Sequence, residues 1–270
     1  MINRLSRLPQ RLLTVVALTI TIAISGCQKT PDANEAQTDT GSQNSNKNTS
    51  QTSDTQLSQT TSTTNLAEQQ APLTILALGD SLTEGLGVDN NANYPAQLQT
   101  RLQELGYKDI KVINSGLSGE TSTGLVNRLD WVLQTKPDVT ILTIGANDAI
   151  RGIDVATVEA NIRTAVKRLQ DNDSVVILGG MQIYDNLGSD YVKSFAAIYP
   201  RVAKDLNVTL IPFFLDGVGG DPKLNQADAI HPTKEGYTLI VNNNILPILQ
   251  PELKKINPSN VTNTPTETAQ

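Results

Sequence analysis

Polar residues in four short segments of the chain have the side chains that nucleophilic catalysis requires. Ser81 lies in Gly79-Asp80-Ser81-Leu82, directly after an apolar run at residues 73–78 that predicts a buried β-strand. A serine at the end of a parallel strand can hold its hydroxyl above the edge of the sheet, where α/β proteins place their chemistry. The same position also suits a plain helix N-cap. A nucleophilic role therefore depends on finding a base, an orienting group and oxyanion donors elsewhere.

The candidate base is His231, which is the only histidine of the chain. It lies in Asp228-Ala229-Ile230-His231-Pro232, between the last predicted strand and the last predicted helix. Asp228 can fold back within this turn and accept a hydrogen bond from one imidazole nitrogen, which leaves the other facing Ser81. The alternative is a surface histidine at a helix entry, beside a capping aspartate. The three residues together predict a Ser-His-Asp triad.

Two further segments can supply an oxyanion hole. Gly116, in Asn114-Ser115-Gly116, has no side chain to obstruct its N–H, and Asn147, in Gly145-Ala146-Asn147-Asp148, carries a side-chain amide. Together with the N–H of Ser81, these two groups give three predicted hydrogen-bond donors to the oxyanion. One donor of this kind stabilises the transition state by roughly 3–4 kcal/mol. Taken singly, Gly116 also fits a simple turn and Asn147 a turn or helix cap.

The elements that must position these segments alternate between strand and helix. Short, continuously apolar strands are predicted at residues 74–78, 111–114, 139–144, 174–178 and 209–213. Helices are predicted at residues 94–105, 121–134, 155–169, 191–206 and 234–249. Repeated βα units predict a flavodoxin-like parallel sheet of about five strands in a three-layer α/β/α sandwich. The loops after the strands then gather at one edge, which brings the four segments together.

The four segments, in this order, resemble the four blocks of the SGNH hydrolases, the GDSL esterase/lipase family, and the similarity covers about residues 73–250. The resemblance implies that Ser81 attacks an acyl carbonyl, that His231 moves the proton, and that Asp228 orients His231. It also implies an acyl-enzyme mechanism that needs no metal and no cofactor. Asp80 and Asp148 are expected to organise their loops rather than to react.

Other short stretches are similar to one branch of that family, the bacterial periplasmic thioesterase/lysophospholipase/arylesterase subgroup. They are Arg151-Gly152, Met181-Gln182-Ile183, Ala197-Ile198-Tyr199-Pro200 and Pro212-Phe213-Phe214. This resemblance implies a small acyl ester, thioester or lipid as substrate. Ile150, Arg151 and Ile153 are candidate substrate contacts, although the two isoleucines also fit an ordinary core and Arg151 a loop cap. Ala146 stands where the subgroup often has glycine.

Two other functions are compatible with the same residues. The first is a carbohydrate O-acetyl esterase that acts on envelope polysaccharide, since one fold hosts several chemistries. The second is a non-catalytic lipoprotein that binds acyl chains, which the complete residue set disfavours.

The N-terminal segment predicts export. Residues 1–26 combine an arginine-containing start with an apolar run at residues 12–24, which is too short for a comfortable membrane span. Ile24-Ser25-Gly26-Cys27 resembles a bacterial lipobox, which implies cleavage before Cys27 and lipidation of that residue. An ordinary secretory signal or an uncleaved anchor is the alternative. The expected location is the outer membrane, facing the periplasm or the cell surface.

Composition defines the remaining boundaries. Residues 27–70 are the lipidated cysteine and a Thr/Ser/Asn/Gln-rich disordered tether, residues 71–256 the hydrolase domain, and residues 257–270 a disordered tail. The net charge of −6 argues against nucleic-acid binding. A single cysteine allows no internal disulfide and disfavours a Cys/His metal site. We expect a monomer that contacts the membrane through the lipid at Cys27.

Overall fold

Five parallel strands form the centre of the computed structural model, which describes residues 72–184 and 188–256. The strands are β1 (Leu73–Gly79), β2 (Ile110–Gly116), β3 (Val139–Thr143), β4 (Val175–Gly179) and β5 (Thr209–Ile211). Their order in the sheet is β2-β1-β3-β4-β5, the flavodoxin-like arrangement. The predicted fold class is confirmed. The predicted export segment, the lipidation site at Cys27, the tether and the tail lie outside the described residues.

The helices cover both faces of this sheet. They are α1 (Ser81–Glu84), α2 (Tyr94–Glu104), α3 (Ser122–Val132), α4 (Ala146–Ile150), α5 (Val155–Gln170), α6 (Ser189–Ala196), α7 (Ile198–Asp205), α8 (Lys234–Leu239) and α9 (Leu246–Ile256), with a π-helical turn at Ile240–Ile245 between the last two. Helices α3, α5 and α7 pack in one group, and α2, α8 and the π-helical turn in another. Because both faces are covered, β3 is buried at all five positions.

Three predicted elements end or break earlier than expected, each beside a proline. Strand β5 stops at Ile211 because Pro212 has no N–H for the ladder. The helix predicted at residues 191–206 is two helices, since Pro200 cannot donate to the carbonyl of Ala196. The last helix widens into the π-helical turn just before Pro247, which also lacks a donor.

The first three strands end at one level, and this aligns the loops that follow them. Gly79 pairs with Gly116 on one side and with Thr143 on the other. Just beyond, the hydroxyls of Thr83 and Thr143 share a hydrogen bond of 2.7 Å. Helix α1 is thereby fixed over the crevice between β1 and β3, where the order of the sheet reverses.

Across residues 72–184 and 188–256, every helix is too short or too polar to cross a membrane.

Candidate active site

Ser81 is the first residue of the one-turn helix α1, and Asp80 is the residue that caps it. A carboxylate oxygen of Asp80 accepts from Leu82 N at 3.0 Å, so the plain N-cap interpretation does not apply to Ser81. Gly79 has no space for a side chain, because a Cβ there would lie 2.2 Å from the carbonyl oxygen of Thr143. The tight turn between β1 and α1 therefore fixes where the Ser81 hydroxyl points.

The structure brings the three predicted triad residues into one line of hydrogen bonds. His231 Nε2 lies 2.8 Å from Ser81 Oγ, and His231 Nδ1 lies 2.6 Å from Asp228 Oδ2. Burial alone raises the pKa of Asp228, but the hydrogen bonds from the His231 N–H, the His231 ring and the Ile230 N–H outweigh it and bring the pKa to about 2. Since Asp228 is ionised, Nδ1 carries the proton and Nε2 can accept the proton of the Ser81 hydroxyl.

The turn that carries Asp228 and His231 is tight and locally strained. Ala229 has φ = 58°, a left-handed conformation that costs a non-glycine residue on the order of 1 kcal/mol. Asp228 Oδ1 holds the turn closed by accepting from the N–H groups of Ile230 and His231 at 2.9 and 3.0 Å. From the loop after β4, the Tyr184 hydroxyl donates to the carbonyl of Ala229 at 2.9 Å.

Gln226 connects the histidine turn to the serine loop. Its side-chain Nε2 donates to the carbonyls of Leu86 and Pro232 at 2.7 and 3.1 Å. Its backbone N–H donates to the carbonyl of His231 at 2.8 Å. The Gln226 side chain therefore binds both of the loops that carry the nucleophile and the base.

Gly116 is not the free donor that the sequence predicts, and this assignment is corrected. Its N–H donates to Asn114 Oδ1 at 2.9 Å. The reason for glycine is also different, because a Cβ at Gly116 would lie 2.0 Å from the backbone nitrogen of Glu84. Gly116 allows β2 to pack directly against the end of α1, and its N–H is already satisfied.

Gly119, three residues later in the same loop, is better placed to donate. It adopts φ = 76°, and its N–H has no hydrogen-bond partner among the described residues. Arg151 binds the carbonyls of Gly119 and Asn147 at 3.0 and 3.1 Å, which joins the two loops. Of the two glycines, Gly119 is the one with a free N–H beside Asn147.

Asn147 lies at the start of α4 and contacts the residue before the nucleophile. Its Nδ2 donates to Asp80 Oδ2 at 3.5 Å, a long hydrogen bond that directs the amide toward the serine turn. Burial raises the pKa of Asp80 to about 6, against the lowering effects of the Leu82 N–H, the charge of His231 and the Asn147 amide. Asp80 therefore caps α1 and orients Asn147, in agreement with the loop-organising role expected for it.

A buried ion pair joins the ends of β1 and β2 to the second loop. Arg128, on α3, donates to both carboxylate oxygens of Glu120 at 2.6 Å. It also donates to the hydroxyl and the carbonyl of Ser115, each at 2.8 Å, and to the carbonyl of Gly79 at 3.4 Å. One guanidinium thus fixes the backbone on both sides of the candidate oxyanion site.

The predicted substrate contacts lie at the same edge in different environments. Ile150 is 64% exposed at the end of α4. Ile153 is half-buried against the core, and its carbonyl accepts from the Tyr191 hydroxyl at 2.7 Å. Arg151 is occupied by the two loop carbonyls described above. Asp148, fully buried, accepts from the N–H and hydroxyl of Ser122 at 2.8 and 2.7 Å and so organises its loop as expected.

The sequence did not indicate four of the site residues, namely Gly119, Gln226, Tyr184 and Arg128. Only Gly119 carries a recognisable signal, since a second glycine in a loop after a strand is a second candidate donor. The other three act through hydrogen bonds to backbone carbonyls, which leave no pattern in a sequence. In the described ranges, His, Cys, Asp and Glu side chains form no group of three that could hold a metal ion.

Residues 77–239 match the sequence profile of the GDSL-like Lipase/Acylhydrolase family. The chain is 36% identical over 189 residues to Esterase TesA of Pseudomonas aeruginosa, covering 70% of this chain and 93% of that one. It is 32% identical over 170 residues to Thioesterase 1/protease 1/lysophospholipase L1 of Escherichia coli K12, covering 63% and 80%. The crystal structure of TesA superposes with a TM-score of 0.63 at 36% identity, over 66% of this chain and 98% of that one. The match spans the strand before Ser81 through the helix after His231, and on this ground the chain belongs to the GDSL-like lipase/acylhydrolase family.

Proposed function

We propose that the chain hydrolyses carboxylic esters or thioesters of acyl chains through an acyl-enzyme on Ser81. The observation that carries the proposal is the continuous hydrogen-bond line from Ser81 Oγ to His231 and on to Asp228, at 2.8 and 2.6 Å. A serine with a base in hydrogen-bond contact, and a base oriented by a third group, is the arrangement that activates a weak nucleophile.

Each residue then has one task. His231 Nε2 takes the proton as Ser81 Oγ attacks the acyl carbonyl, and it returns this proton to the leaving oxygen or sulfur. Water then attacks the acyl-enzyme while His231 Nε2 takes a proton from it. His231 returns this proton to Ser81 Oγ, and the free acid is released. Asp228 stays ionised throughout and stabilises the imidazolium that forms between the two proton transfers.

The oxyanion is held by three donors: the N–H of Ser81, the N–H of Gly119 and the side-chain amide of Asn147. Ser81 occupies the first position of its helix, where a backbone N–H has no partner within the helix. The link that Arg151 makes between the carbonyls of Gly119 and Asn147 supports the pairing of the other two. Each donor of this kind contributes roughly 3–4 kcal/mol.

The substrate class rests on similarity and on the surface of the site. The relatives are named as an esterase and as a thioesterase/lysophospholipase. Exposed Ile150 and half-buried Ile153 offer apolar surface next to Asn147, which suits an acyl chain.

Hydrolysis of chromogenic esters with two to sixteen acyl carbons tests the proposal, with matched thioesters as a second series. Wild type is expected to cleave chains longer than acetyl, and Ser81→Ala to lose about 10³-fold or more in kcat. Equal hydrolysis by wild type and Ser81→Ala contradicts the nucleophile. A single peak at acetyl, with no hydrolysis of longer chains, points instead to the carbohydrate O-acetyl esterase.

We also propose that Cys27 is lipidated and anchors the exported chain to a membrane, with residues 28–70 as the tether. The support is the lipobox-like run that ends at the only cysteine of the chain. Fractionation of cells that express wild type or Cys27→Ser is the test. The variant is expected in the soluble fraction, and equal retention of both proteins with the membranes contradicts the anchor.

A further inference from the structure

Glu84 connects the helix of the nucleophile to the loop that contains Gly119. It is the last residue of α1, and its carboxylate accepts hydrogen bonds from the N–H of Ser118 at 2.7 Å and from the Ser118 hydroxyl. A carboxylate at the C-terminal end of a helix gains nothing from the helix dipole. The contact with the second loop therefore explains this side chain better than α1 itself does.

The backbone of Glu84 is held by its neighbours, so its side chain extends from a fixed point. Its carbonyl accepts from the side-chain amides of Asn93 and Asn114 at 3.3 and 3.2 Å. Its N–H donates to the carbonyl of Asp80 at 2.9 Å. Since the backbone is fixed in this way, the carboxylate can hold the second loop in place rather than follow its movement.

The part of the loop that Glu84 binds is a tight turn with Gly119 at its third position. The N–H of Glu120 donates to the carbonyl of Leu117 at 3.1 Å, which closes a four-residue β-turn. Gly119 has φ = 76° whereas Ser118 has no positive φ, and this combination defines a type II turn. The peptide unit that joins Ser118 to Gly119 carries the N–H proposed to bind the oxyanion.

Glycine alone does not fix the direction of this peptide unit, because glycine at the third position fits both type I and type II turns. In a type I turn the central peptide is rotated by roughly 180°, so the Gly119 N–H would point the other way. Two contacts hold the peptide unit in the observed form. Glu84 binds Ser118 on one side of it. Arg151 binds the carbonyl of Gly119 on the other side, at 3.0 Å.

We infer that Glu84 is a positioning residue, which directs the N–H of Gly119 toward the oxyanion by holding Ser118. This inference rests on the proposed ester hydrolysis and on the role proposed there for Gly119. Glu84 touches no reacting atom. Without its carboxylate the central peptide can turn between the two forms, and the donor is in place for only part of the time. The loss falls on the transition state, where the negative charge develops, and leaves substrate binding unchanged.

Three substitutions of Glu84 test the inference, with kcat and KM measured on a dissolved butyrate ester. Glu84→Ala removes the acceptor, and we expect kcat to fall about tenfold at constant KM. Glu84→Gln loses the charge but keeps an oxygen at the same reach, so it is expected to recover most of the kcat. Glu84→Asp keeps the charge but is too short to reach Ser118, so it should behave like Glu84→Ala.

Asp138→Ala is the matched control. The carboxylate of Asp138 accepts from the N–H of Thr74 at 2.7 Å, which is the same kind of bond at the opposite end of β1. This variant is expected to melt at a lower temperature but to keep the wild-type kcat. An alkyl boronic acid, which forms a tetrahedral adduct with a nucleophilic serine, gives a second readout. Its inhibition constant should rise in Glu84→Ala by the factor by which kcat falls, and should stay at the wild-type value in Asp138→Ala.

Equal kcat in wild type and Glu84→Ala overturns the inference, as does an equal loss of kcat in Glu84→Ala and Asp138→Ala. A raised KM with unchanged kcat overturns it as well, because Glu84 would then bind the substrate. Full activity in Glu84→Asp with none recovered in Glu84→Gln would mean that the charge matters and the position does not. If wild type itself cleaves no ester, the proposed function fails, whereas an active wild type with an unaffected Glu84→Ala removes the positioning role alone.

Discussion

Arg128 and Glu120 form a two-point ion pair with both nitrogen–oxygen distances at 2.6 Å, and Glu120 is almost fully buried in it. The same guanidinium binds carbonyls at the ends of β1 and β2. Because Glu120 directly follows Gly119, the pair fixes a candidate oxyanion donor relative to the strand that leads to Ser81. Arg128 touches no reacting atom and is a positioning residue.

Arg128→Lys keeps the charge but loses the two-point geometry. We expect kcat on a dissolved ester to fall about tenfold with little change in KM, because the displaced donors bind the oxyanion only in the transition state. Arg128→Gln leaves a buried carboxylate unpaired and is expected to cost about 3–5 kcal/mol of stability as well.

The control for this pair is Arg163→Gln, which breaks two more exposed ion pairs, with Glu159 on α5 and with Asp205 on α7. Each such pair is worth about 0–1 kcal/mol, so activity should stay at the wild-type level and the melting temperature should fall less than in Arg128→Gln. Steady-state kinetics and thermal melts measure both effects. An unchanged kcat in Arg128→Lys contradicts the positioning role.

The two glycines of the second loop should respond differently to alanine. In Gly116→Ala the new Cβ meets the Glu84 backbone, so a stability loss of about 1–3 kcal/mol or more is expected. In Gly119→Ala the nearest atom is an Arg151 nitrogen at 3.6 Å, so the protein should fold, but kcat should fall about tenfold or more as the donor is displaced.

Gly217→Ala is the matched control for Gly119→Ala. Gly217 has φ = 71° and open space where a Cβ would go, so the backbone strain is similar and the site is untouched. Melting temperatures and kcat of the three variants are compared. Equal kcat in Gly119→Ala and Gly217→Ala would remove Gly119 from the oxyanion site.

Asp80 makes stability depend on pH. Its pKa is about 6 in the folded protein against an ordinary 3.8, so the folded state holds the proton more tightly. The contribution of this proton to the stability of the folded state is therefore fully present below pH 3.8. It is lost as pH rises through about 6, a change on the order of 3 kcal/mol.

Asp80→Asn carries no such proton. The free energy of unfolding should fall less between pH 4 and pH 7 in Asp80→Asn than in wild type. Urea unfolding at each pH measures this change in both proteins. The kcat of Asp80→Asn should fall as well, because an amide in place of the carboxylate no longer favours the contact with Asn147. Parallel pH profiles for the two proteins contradict the raised pKa.

Gln226→Leu removes both carbonyl contacts between the serine and histidine loops at nearly constant volume. We expect kcat to fall about five- to tenfold, with a small loss of stability of about 1 kcal/mol. Gln170→Leu is the control, since Gln170 makes the same kind of bond to the carbonyl of Leu206 at the far edge of the sheet. A comparable loss of kcat in both variants would mean that Gln226 has no special role.

The fold and the three triad positions, Ser81, Asp228 and His231, could be predicted because their signals are local. Apolar runs of strand length mark β1 and β3, and a single histidine three residues after an aspartate leaves one candidate pair. The choice between Gly116 and Gly119 could not be made from sequence, because it depends on which N–H the side chain of Asn114 occupies. The break between α6 and α7 had a visible cause in Pro200, which the periodic pattern of residues 191–206 outweighed.

The contact between Ser81 and His231 joins residues 150 positions apart, whereas His231 and Asp228 are three apart. The acid–base half of the site can thus form in a single turn, early in folding. The nucleophile meets it only after the C-terminal segment has docked on the completed sheet. Recovery of hydrolysis during refolding should therefore lag behind recovery of secondary structure, because hydrolysis requires this long-range contact.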